Sequence, residues 1–386
     1  MTTIIRTGGE RAITHRRSAR SGALGITLAA SLLAAAGIAS PAVAQDAGAS
    51  LLDPPATEFG RRIETPISKS ELVIALGQDG SAAPSEAEES TRIYGGGFAA
   101  DGQLPYQVAL VDWSLWEAAQ RGEAHAQFCG GSIISADFVL TAAHCVYDRD
   151  RLKSPAEFIV ETGAVVHGQG DAREIAEVIP HPDYAPTQNH EHDIALLRLA
   201  KPIRPDERNV AAVRIAPQGF ELGETRAVAS GWGLTREKRS SGSLRFADID
   251  VVTNETCNAG FVSVSAGELA DYLTILVARA GLNQEDAQRG YDRIVPTMKG
   301  PITENMVCAG AQSGAQSTCH GDSGGPLTIA GPGGQPLQVG VVSWGHKPAG
   351  IVVNEGNMPC GTPDTYNVFV RLGNYFDWIA GHVRGG

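Results

Sequence analysis

The chain has 386 residues, of which 42% are hydrophobic and 19% charged, so it can bury large cores and is neither a disordered nor a collagen-like sequence. Lys and Arg number 31 and Asp and Glu number 43, which gives a net charge of −12. This acidic balance argues against nucleic acid or anionic membrane as the main partner, because both bind clustered basic residues. The length predicts one large domain or two smaller packed units.

The first 44 residues have the features of an export signal. Arginines precede an uncharged stretch at residues 22–38, and a small-residue cleavage site ends at Ala44. A transmembrane anchor is the alternative, but the apolar run of about 15 residues is shorter than the roughly 20 that a spanning helix needs. We predict a signal peptide and a secreted protein, extracellular or periplasmic. Arg16-Arg17 permits a twin-arginine route, but the residues that follow favour the ordinary one.

Residues 45–92 differ in composition from the rest of the chain. Ala, Ser, Pro and Glu predominate there, with only short apolar patches, which is typical of a mobile segment rather than a domain. A small folding helper that uses the apolar patch at residues 72–76 is the alternative. The chain beyond Arg92 keeps a net charge of −11, so the acidity belongs to the body of the protein.

Beyond Arg92, runs rich in Val, Ile, Leu and Phe are separated by Gly, Pro, Asp and Asn, a pattern that predicts β-strands joined by turns. We predict an all-β body, with a passage between two β units at residues 201–217. Residues 266–279 and 375–383 have helical periodicity. The clearest strand-like runs are residues 107–111, 138–141, 194–199, 227–229 and 339–343.

Three segments carry side chains suited to nucleophilic catalysis. Ser323 lies in a Gly-Asp-Ser-Gly-Gly-Pro run, His144 ends an apolar run, and Asp193 precedes one. A serine hydroxyl needs a base to remove its proton, and a buried acid needs a partner. Each segment alone is equally compatible with a turn, a core histidine or a cap.

Together, in the order His, Asp, Ser, these segments resemble the chymotrypsin/trypsin family of serine proteases. The resemblance covers residues 93–384 and extends to five further motifs. These are Arg92-Ile93-Tyr94-Gly95-Gly96, Phe128-Cys129-Gly130-Gly131-Ser132, Ser230-Gly231-Trp232-Gly233, Ser343-Trp344-Gly345 and Asp377-Trp378-Ile379. The resemblance implies two packed antiparallel Greek-key β-barrels, at about 93–205 and 215–372, with the active site between them and a C-terminal helix at about 374–383.

On this resemblance, Ser323 attacks a peptide carbonyl, His144 carries the proton, and Asp193 fixes the imidazole tautomer. The backbone N–H groups of Gly321 and Ser323 form the oxyanion hole, where a side chain on residue 321 would crowd the substrate. No metal and no cofactor are implied.

The resemblance also indicates the substrate pocket. Ser343, Trp344 and Gly345 form an extended edge that pairs with the substrate backbone, and the Gly/Pro/Asn-rich stretch that follows borders the pocket. The floor position is Ser317, so the aspartate that would select Arg or Lys is absent. Counting from Cys360 places Asp364 on the pocket wall, which favours basic or mixed specificity. Asp364 pointing away from the pocket is the alternative.

The start of the body resembles an activation switch. Cleavage between Arg92 and Ile93 would free an amine that pairs with the carboxylate of Asp322. We therefore predict a zymogen, with residues 1–44 as signal peptide, 45–92 as propeptide and 93–386 as protease domain. Some relatives have a histidine that holds this acid in the precursor, but here that position is Gln127.

The six cysteines pair by resemblance. The pairs are Cys129 with Cys145, Cys257 with Cys308, and Cys319 with Cys360. Fifty residues separate the second pair, more than is usual for the family, so the helix predicted from residue 266 is interpreted as an insertion. It is either surface decoration or a lid or exosite over the cleft.

Three further histidines lie near the predicted catalytic residues. His190 and His192 have the spacing of a metal pair, but we interpret them as part of a solvated loop, because no third ligand lies nearby in sequence. His320 is expected at the mouth of the cleft.

We predict a secreted serine endopeptidase, and the alternative is a protease-fold binding protein without activity. An active protease with chymotrypsin-like or elastase-like specificity is a further alternative. The expected partners are protein or peptide substrates, an activating protease and protein inhibitors. We predict a monomer with no membrane span after processing.

Overall fold

The computed structural model describes residues 96–186, 190–204, 207–235, 240–346, 360–361 and 363–385, which all belong to one compact unit. The predicted signal peptide, the predicted propeptide and the Arg92-Ile93 junction lie outside the described residues. Residues 347–359, which contain most of the stretch predicted to border the pocket, also lie outside them.

Short strands make up most of the regular structure. In chain order they are β1 (Gly97–Phe98), β2 (Gln107–Asp112), β3 (Gln127–Ile133), β4 (Phe138–Thr141), β5 (Tyr147–Asp148), β6 (Arg151–Leu152), β7 (Phe158–Thr162), β8 (Asp171–Arg173), β9 (Ile175–Pro180), β10 (Ala195–Leu199), β11 (Arg214–Ile215), β12 (Thr225–Gly231), β13 (Arg245–Val252), β14 (Met306–Gly310), β15 (Pro326–Ala330), β16 (Pro336–Trp344) and β17 (Asn367–Arg371). The α-helices are α1 (Trp116–Gln120), α2 (Asn254–Ala280), α3 (Gln284–Ile294) and α4 (Phe376–Gly385).

Seven antiparallel strands form the first sheet, in the order β8-β7-β2-β3-β4-β10-β9, and this sheet curls into a half-barrel. Its core buries Val108, Leu110, Leu140 and Leu196 completely. Each such side chain contributes roughly 1.5–3 kcal/mol by leaving water. These residues belong to the apolar runs that predicted strands in this part of the chain, and that prediction is confirmed.

Six strands of the second sheet close into a barrel, in the order β12-β15-β16-β17-β14-β13, because β13 pairs with both β12 and β14. Along β13, buried residues alternate with more accessible ones, as expected when one face of a strand covers a core. Ile249, Leu327 and Phe369 fill that core. The two sheets together confirm the predicted all-β class.

Both predicted helices are present. In α4, Ile379 packs into the core of the first sheet. α2 begins earlier than predicted, because the side chain of Thr253 caps it by accepting a hydrogen bond from the N–H of Thr256. Its first turns are rich in Asn, Thr, Val and Ser, which have only moderate helix propensity and carry no clear apolar period.

The helix α3 has no counterpart among the predicted elements. Its residues are mostly polar, and its apolar stripe is limited to Ala287, Tyr291 and Ile294. Gly281 ends α2 with a left-handed φ of +71°, and Asn283 caps α3 by accepting a hydrogen bond from the N–H of Glu285. α2 and α3 therefore form a helical hairpin whose two helices are joined by the short connection at residues 281–283. Residues 254–294 are called the helical hairpin below.

The helical hairpin is fixed to the second sheet at its base. By length and composition alone α2, with 27 residues, is able to cross a membrane. However, Cys257 in its first turn is buried and disulfide-bonded to Cys308 in β14, and Phe261 packs into the same buried cluster. We therefore treat α2 as part of the folded unit rather than as a membrane span.

All three disulfides of the predicted pairing are formed, and two of them fasten segments that carry candidate catalytic residues. Cys129–Cys145 connects β3 to the segment after β4, and Cys319–Cys360 connects the loop before β15 to the segment before β17. A disulfide that closes a loop of about 15 residues contributes roughly 3 kcal/mol in the chain-entropy model.

Candidate active site

Neighbouring strands of the first sheet bring His144 and Asp193 together. β4 pairs with β10 so that Thr141 lies opposite Ala195, which places the segment after β4 beside the segment before β10. His144 follows β4 in a short 3-10 helix, Ala143–Val146. Its Nδ1 atom lies 2.7 Å from Oδ2 of Asp193. This is the distance of a charge-assisted hydrogen bond.

Asp193 is completely buried and well supplied with donors. Its carboxylate accepts hydrogen bonds from the backbone N–H of His144 at 2.8 Å and from the hydroxyl of Ser343. Burial by itself raises the pKa of a carboxyl group, but the charge of His144 and these hydrogen bonds outweigh it, so the pKa of Asp193 lies below its ordinary value. Asp193 therefore stays ionised beside the imidazole.

Ser323 lies in a tight loop before β15. The N–H of Gly130 donates to the carbonyl of Ser323 at 2.7 Å, which fixes the loop to β3. Gly324 has φ +80°, and a Cβ atom there would lie 2.2 Å from Oγ1 of Thr141, so only glycine fits. Ser323 and His144 line the same cleft.

Gly321 also has a conformation that requires glycine. Its φ is +94°, and an added Cβ atom would lie 3.0 Å from the Cα atom of Gly233. Backbone strain and packing thus require glycine here, in addition to the crowding of substrate expected from the sequence. The buried Gln127 fixes the loop further, because its Nε2 atom donates to the carbonyl of Gly321 at 2.5 Å.

Asp322 lies between Gly321 and Ser323, and its side chain points away from the cleft into a completely buried site. Its carboxylate accepts hydrogen bonds from the N–H groups of Cys319 at 2.9 Å and Gly233 at 2.8 Å. Burial raises the pKa of Asp322 to about 6, because these two hydrogen bonds offset the loss of solvation only in part. The site is thus suited to a buried cation.

The structure brings most of the predicted substrate-binding residues to this cleft. Besides His144 and Ser323, the cleft is lined by Ser317, His320, Ser343, Trp344 and Gly345. The predicted position of His320 at the cleft therefore agrees with the structure.

Asp364 is not among the residues that line the cleft. Its side chain is exposed in the turn before β17, and Oδ1 accepts a hydrogen bond from Nε2 of Gln312 at 3.3 Å. The structure therefore does not place Asp364 on the pocket wall, and this carboxylate is not positioned to select a basic substrate side chain. Counting from Cys360 selected the wrong residue, because the turn at Asp364 lies before the strand that forms the wall.

Asn367, the first residue of β17, occupies that wall instead. Its Oδ1 atom accepts hydrogen bonds from the hydroxyl of Ser317 at 2.6 Å and from the N–H of Thr318 at 3.0 Å. Its Nδ2 atom donates to the carbonyl of Thr318. A Cβ atom added to Gly345 would lie 3.2 Å from this Nδ2 atom. The amide thus crosses the pocket between floor and wall. Among the described lining residues, floor and wall are polar and uncharged.

The helical hairpin lies beside the cleft. A second cavity, between α2 and the segment after β16, shares His190, Trp344, Gly345 and His346 with the lining of the cleft. There the ring centroid of Phe261 lies 5.4 Å from that of Trp344, and Nε2 of His346 lies 3.0 Å from Oε1 of Glu268. The insertion therefore lies next to the cleft, as a lid or exosite would, although none of its residues lines the cleft itself.

Comparison with known proteins identifies the family. The family model named Trypsin matches residues 93–379. The chain is 30% identical over 296 residues to clotting factor G beta subunit of Tachypleus tridentatus, covering 75% of this chain and 79% of that protein. It is 29% identical over 294 residues to trypsin Blo t 3 of Blomia tropicalis, covering 75% and 85%. It is 30% identical over 298 residues to trypsin eta of Drosophila melanogaster, covering 76% and 89%.

A curled half-barrel and a closed six-stranded barrel, with His144 and Ser323 lining one cleft and Asp193 buried behind His144, define a serine protease of this type. The chain belongs to the chymotrypsin/trypsin family and is a serine endopeptidase. The resemblance predicted from its motifs is thereby confirmed.

Proposed function

We propose that His144, Asp193 and Ser323 are the catalytic triad of this endopeptidase. The observation that carries the proposal is the 2.7 Å contact between Nδ1 of His144 and a buried carboxylate, in the same cleft as Ser323. With Nδ1 engaged by Asp193, the Nε2 atom of His144 is the base available to the serine hydroxyl.

In the proposed reaction, Nε2 of His144 takes the hydroxyl proton as Oγ of Ser323 forms a bond to the peptide carbonyl carbon. The N–H groups of Gly321 and Ser323 stabilise the resulting oxyanion. The carbon–nitrogen bond then breaks, and His144 returns the proton to the leaving amine. Water hydrolyses the acyl-enzyme with the same base. Asp193 remains ionised throughout and stabilises the imidazolium.

The precursor organisation is part of the same proposal. Residues 1–44 are a signal peptide, 45–92 a propeptide and 93–386 the protease domain, activated by cleavage between Arg92 and Ile93. The buried carboxylate of Asp322, which has two backbone donors but needs a counter-charge, supports an incoming amine as its partner. Three disulfides support secretion, because such bonds persist in oxidising compartments.

For specificity, the uncharged floor of the pocket at Ser317 favours substrates with an uncharged residue of small or medium size before the cleaved bond. A buried Arg or Lys without a counter-ion costs several kcal/mol, and the amide of Asn367 shortens the pocket. We expect the processed enzyme to cleave peptides after Ala, Val or Ser about 10- to 100-fold faster than after Arg or Lys, measured as kcat/KM. Ser323→Ala should cleave none of them.

Two substitutions test the origin of this preference. Asn367→Gly should open the pocket and raise the relative rate after Leu and Phe, whereas Asp364→Asn should change nothing because Asp364 lies outside the cleft. Rapid cleavage after Arg that Asp364→Asn abolishes would restore Asp364 as the selecting residue. Failure of the wild-type enzyme to cleave any peptide or protein would favour an inactive binding protein.

The pKa of Asp322 predicts how the uncut precursor responds to pH. In the unfolded chain this carboxyl ionises near pH 3.8, but in the folded protein only near pH 6. Between these values the folded state binds the extra proton, so stability falls as pH rises, by about 3 kcal/mol in total. Urea unfolding of the Arg92→Gln precursor at pH 4 and pH 7 should show this fall. Asp322→Asn in the same precursor should remove that part of the pH dependence, and an equal fall in both precursors would contradict the assignment.

A further inference from the structure

His190 and His192 lie on different sides of the segment before Asp193. The ring of His190 faces the cleft, with its centroid 5.9 Å from that of Trp344 and 6.4 Å from that of His144. The ring of His192 instead stacks on His181, with centroids 5.1 Å apart and an interplanar angle of 12°. The His-x-His spacing therefore does not bring these two histidines to one ligand, but it brings His192 to another histidine.

The pairing of β9 with β10 explains why His181 and His192 meet. Pro180 lies opposite Ala195, and the next backbone hydrogen bond runs from the N–H of His181 to the carbonyl of Ile194 at 2.9 Å. The chain then turns, since the N–H of Tyr184 donates to the carbonyl of His181. This turn brings the carboxylate of Asp183 back to His181, with Oδ2 4.0 Å from Nδ1.

His181, Asp183 and His192, called the His181 cluster here, each offer one ligand atom within 4.8 Å of the other two. In a tetrahedral zinc site, with bonds of about 2.0–2.1 Å, ligand atoms are separated by about 3.4 Å. The cluster must therefore contract by about 1.4 Å at most. The side chain of Asp183, which is 70% exposed, has room to move toward an ion. Because a metal lies in the plane of each imidazole that binds it, the near-parallel rings of His181 and His192 must also turn relative to each other.

The surroundings of His192 also suit a ligand. Its Nδ1 atom lies 3.0 Å from the hydroxyl of Tyr375. With the proton on Nδ1 and donated to that hydroxyl, the lone pair is on Nε2. A histidine that binds a metal commonly donates its other N–H to a neighbouring oxygen in this way, which fixes the ring and its tautomer.

We propose that the His181 cluster binds a divalent transition-metal ion, Zn²⁺ being the best match, with two imidazoles, one carboxylate and water as ligands. Nitrogen and oxygen donors at this spacing suit Zn²⁺, whereas Ca²⁺ and Mg²⁺ prefer oxygen ligands alone. The site lies outside the catalytic cleft, since none of its three residues lines it. It acts on the segment that carries Asp193, because His192 is the preceding residue, and a bound ion fastens that segment to the end of β9.

The test measures Zn²⁺ binding to the full chain carrying Ser323→Ala, which cannot digest itself, by isothermal titration calorimetry after treatment with a chelator. We expect one ion per chain and a rise in Tm on adding Zn²⁺. Tyr375→Phe should weaken binding about 10- to 100-fold, as is usual when the hydrogen-bond partner of a metal ligand is lost. His181→Phe, which keeps the ring stacking, and Asp183→Asn should each weaken it at least as much.

His190→Phe is the matched control, since it removes the other histidine of the same motif, and it should leave Zn²⁺ affinity and the Tm rise unchanged. Absence of binding to a variant counts only if its Tm without metal is unchanged. The proposal is overturned if the Ser323→Ala chain binds no Zn²⁺. It is equally overturned if His190→Phe or His144→Ala abolishes binding while His181→Phe does not, because the ion would then lie in the catalytic cleft.

Discussion

His144→Ala and Ser323→Ala are each expected to hydrolyse peptides about 10⁴- to 10⁶-fold more slowly than the unsubstituted enzyme, measured as kcat. Without the imidazole, no described group hydrogen-bonded to Asp193 can take the serine proton, and without the hydroxyl no acyl-enzyme forms. The residual rate should come from the oxyanion hole and substrate binding. KM should change little, because neither side chain is needed to hold the substrate backbone.

A variant that combines His144→Ala with Ser323→Ala shows whether the two residues act in one catalytic step or contribute independently. If His144 and Ser323 act together, the double variant is no slower than the slower single variant. His382→Ala, a histidine of α4 outside the cleft, is the control and should retain full activity. Multiplication of the two single effects, or a loss below tenfold in either variant, would contradict the assignment.

Arg92→Gln is expected to give a secreted, folded and inactive precursor. Without cleavage there is no free amine at Ile93, so the completely buried carboxylate of Asp322 lacks its cation. Leaving one partner of a buried ion pair alone costs about 3–5 kcal/mol, which corresponds to roughly 10²- to 10⁴-fold in activity. The measurement is hydrolysis of a peptide ester by purified precursor before and after treatment with an arginine-specific protease.

Two further variants make the activation test specific. Arg92→Lys should still be processed by a protease that cleaves after basic residues and should become active. Asp322→Asn should be processed normally but stay about 10²- to 10⁴-fold less active, because an amide cannot pair with the amine. Full activity of uncut Arg92→Gln, or of processed Asp322→Asn, would refute activation through this ion pair.

The catalytic residues were predictable from sequence because short-range context marks each of them. Gly321 and Gly324 flank Ser323, since the loop needs positive φ at both positions, and His144 closely follows a buried strand that ends at Thr141. Such requirements act within a few residues and leave a visible pattern. The five strand-like runs named from the sequence correspond to β2, β4, β10, β12 and β16 for the same reason.

The specificity pocket was not predictable by counting. Whether Asp364 or Asn367 reaches Ser317 depends on how the turn between Cys360 and β17 is shaped, and a shift of three residues exchanges an acid for an amide. The interaction of Gln127 with Gly321 likewise joins residues 194 positions apart. No local pattern carries such contacts.

The His181 cluster shows the same limit. His192 was visible as half of a motif with His190, but its actual neighbour is set by the pairing of β9 with β10. The helical hairpin is a further case, because the mostly polar α3 has an apolar stripe of only three residues and the packing of Phe261 on Trp344 depends on the fold.

Covalent labelling by an active-site organophosphate tests the proposed triad most directly, because the reagent reacts with a serine only when that serine is activated as a nucleophile. The processed enzyme should gain one phosphoryl group per chain, located at Ser323 by peptide mass spectrometry. His144→Ala should remain unlabelled over the same time. Labelling at another serine, or labelling of Ser323 at an equal rate in His144→Ala, would contradict the account.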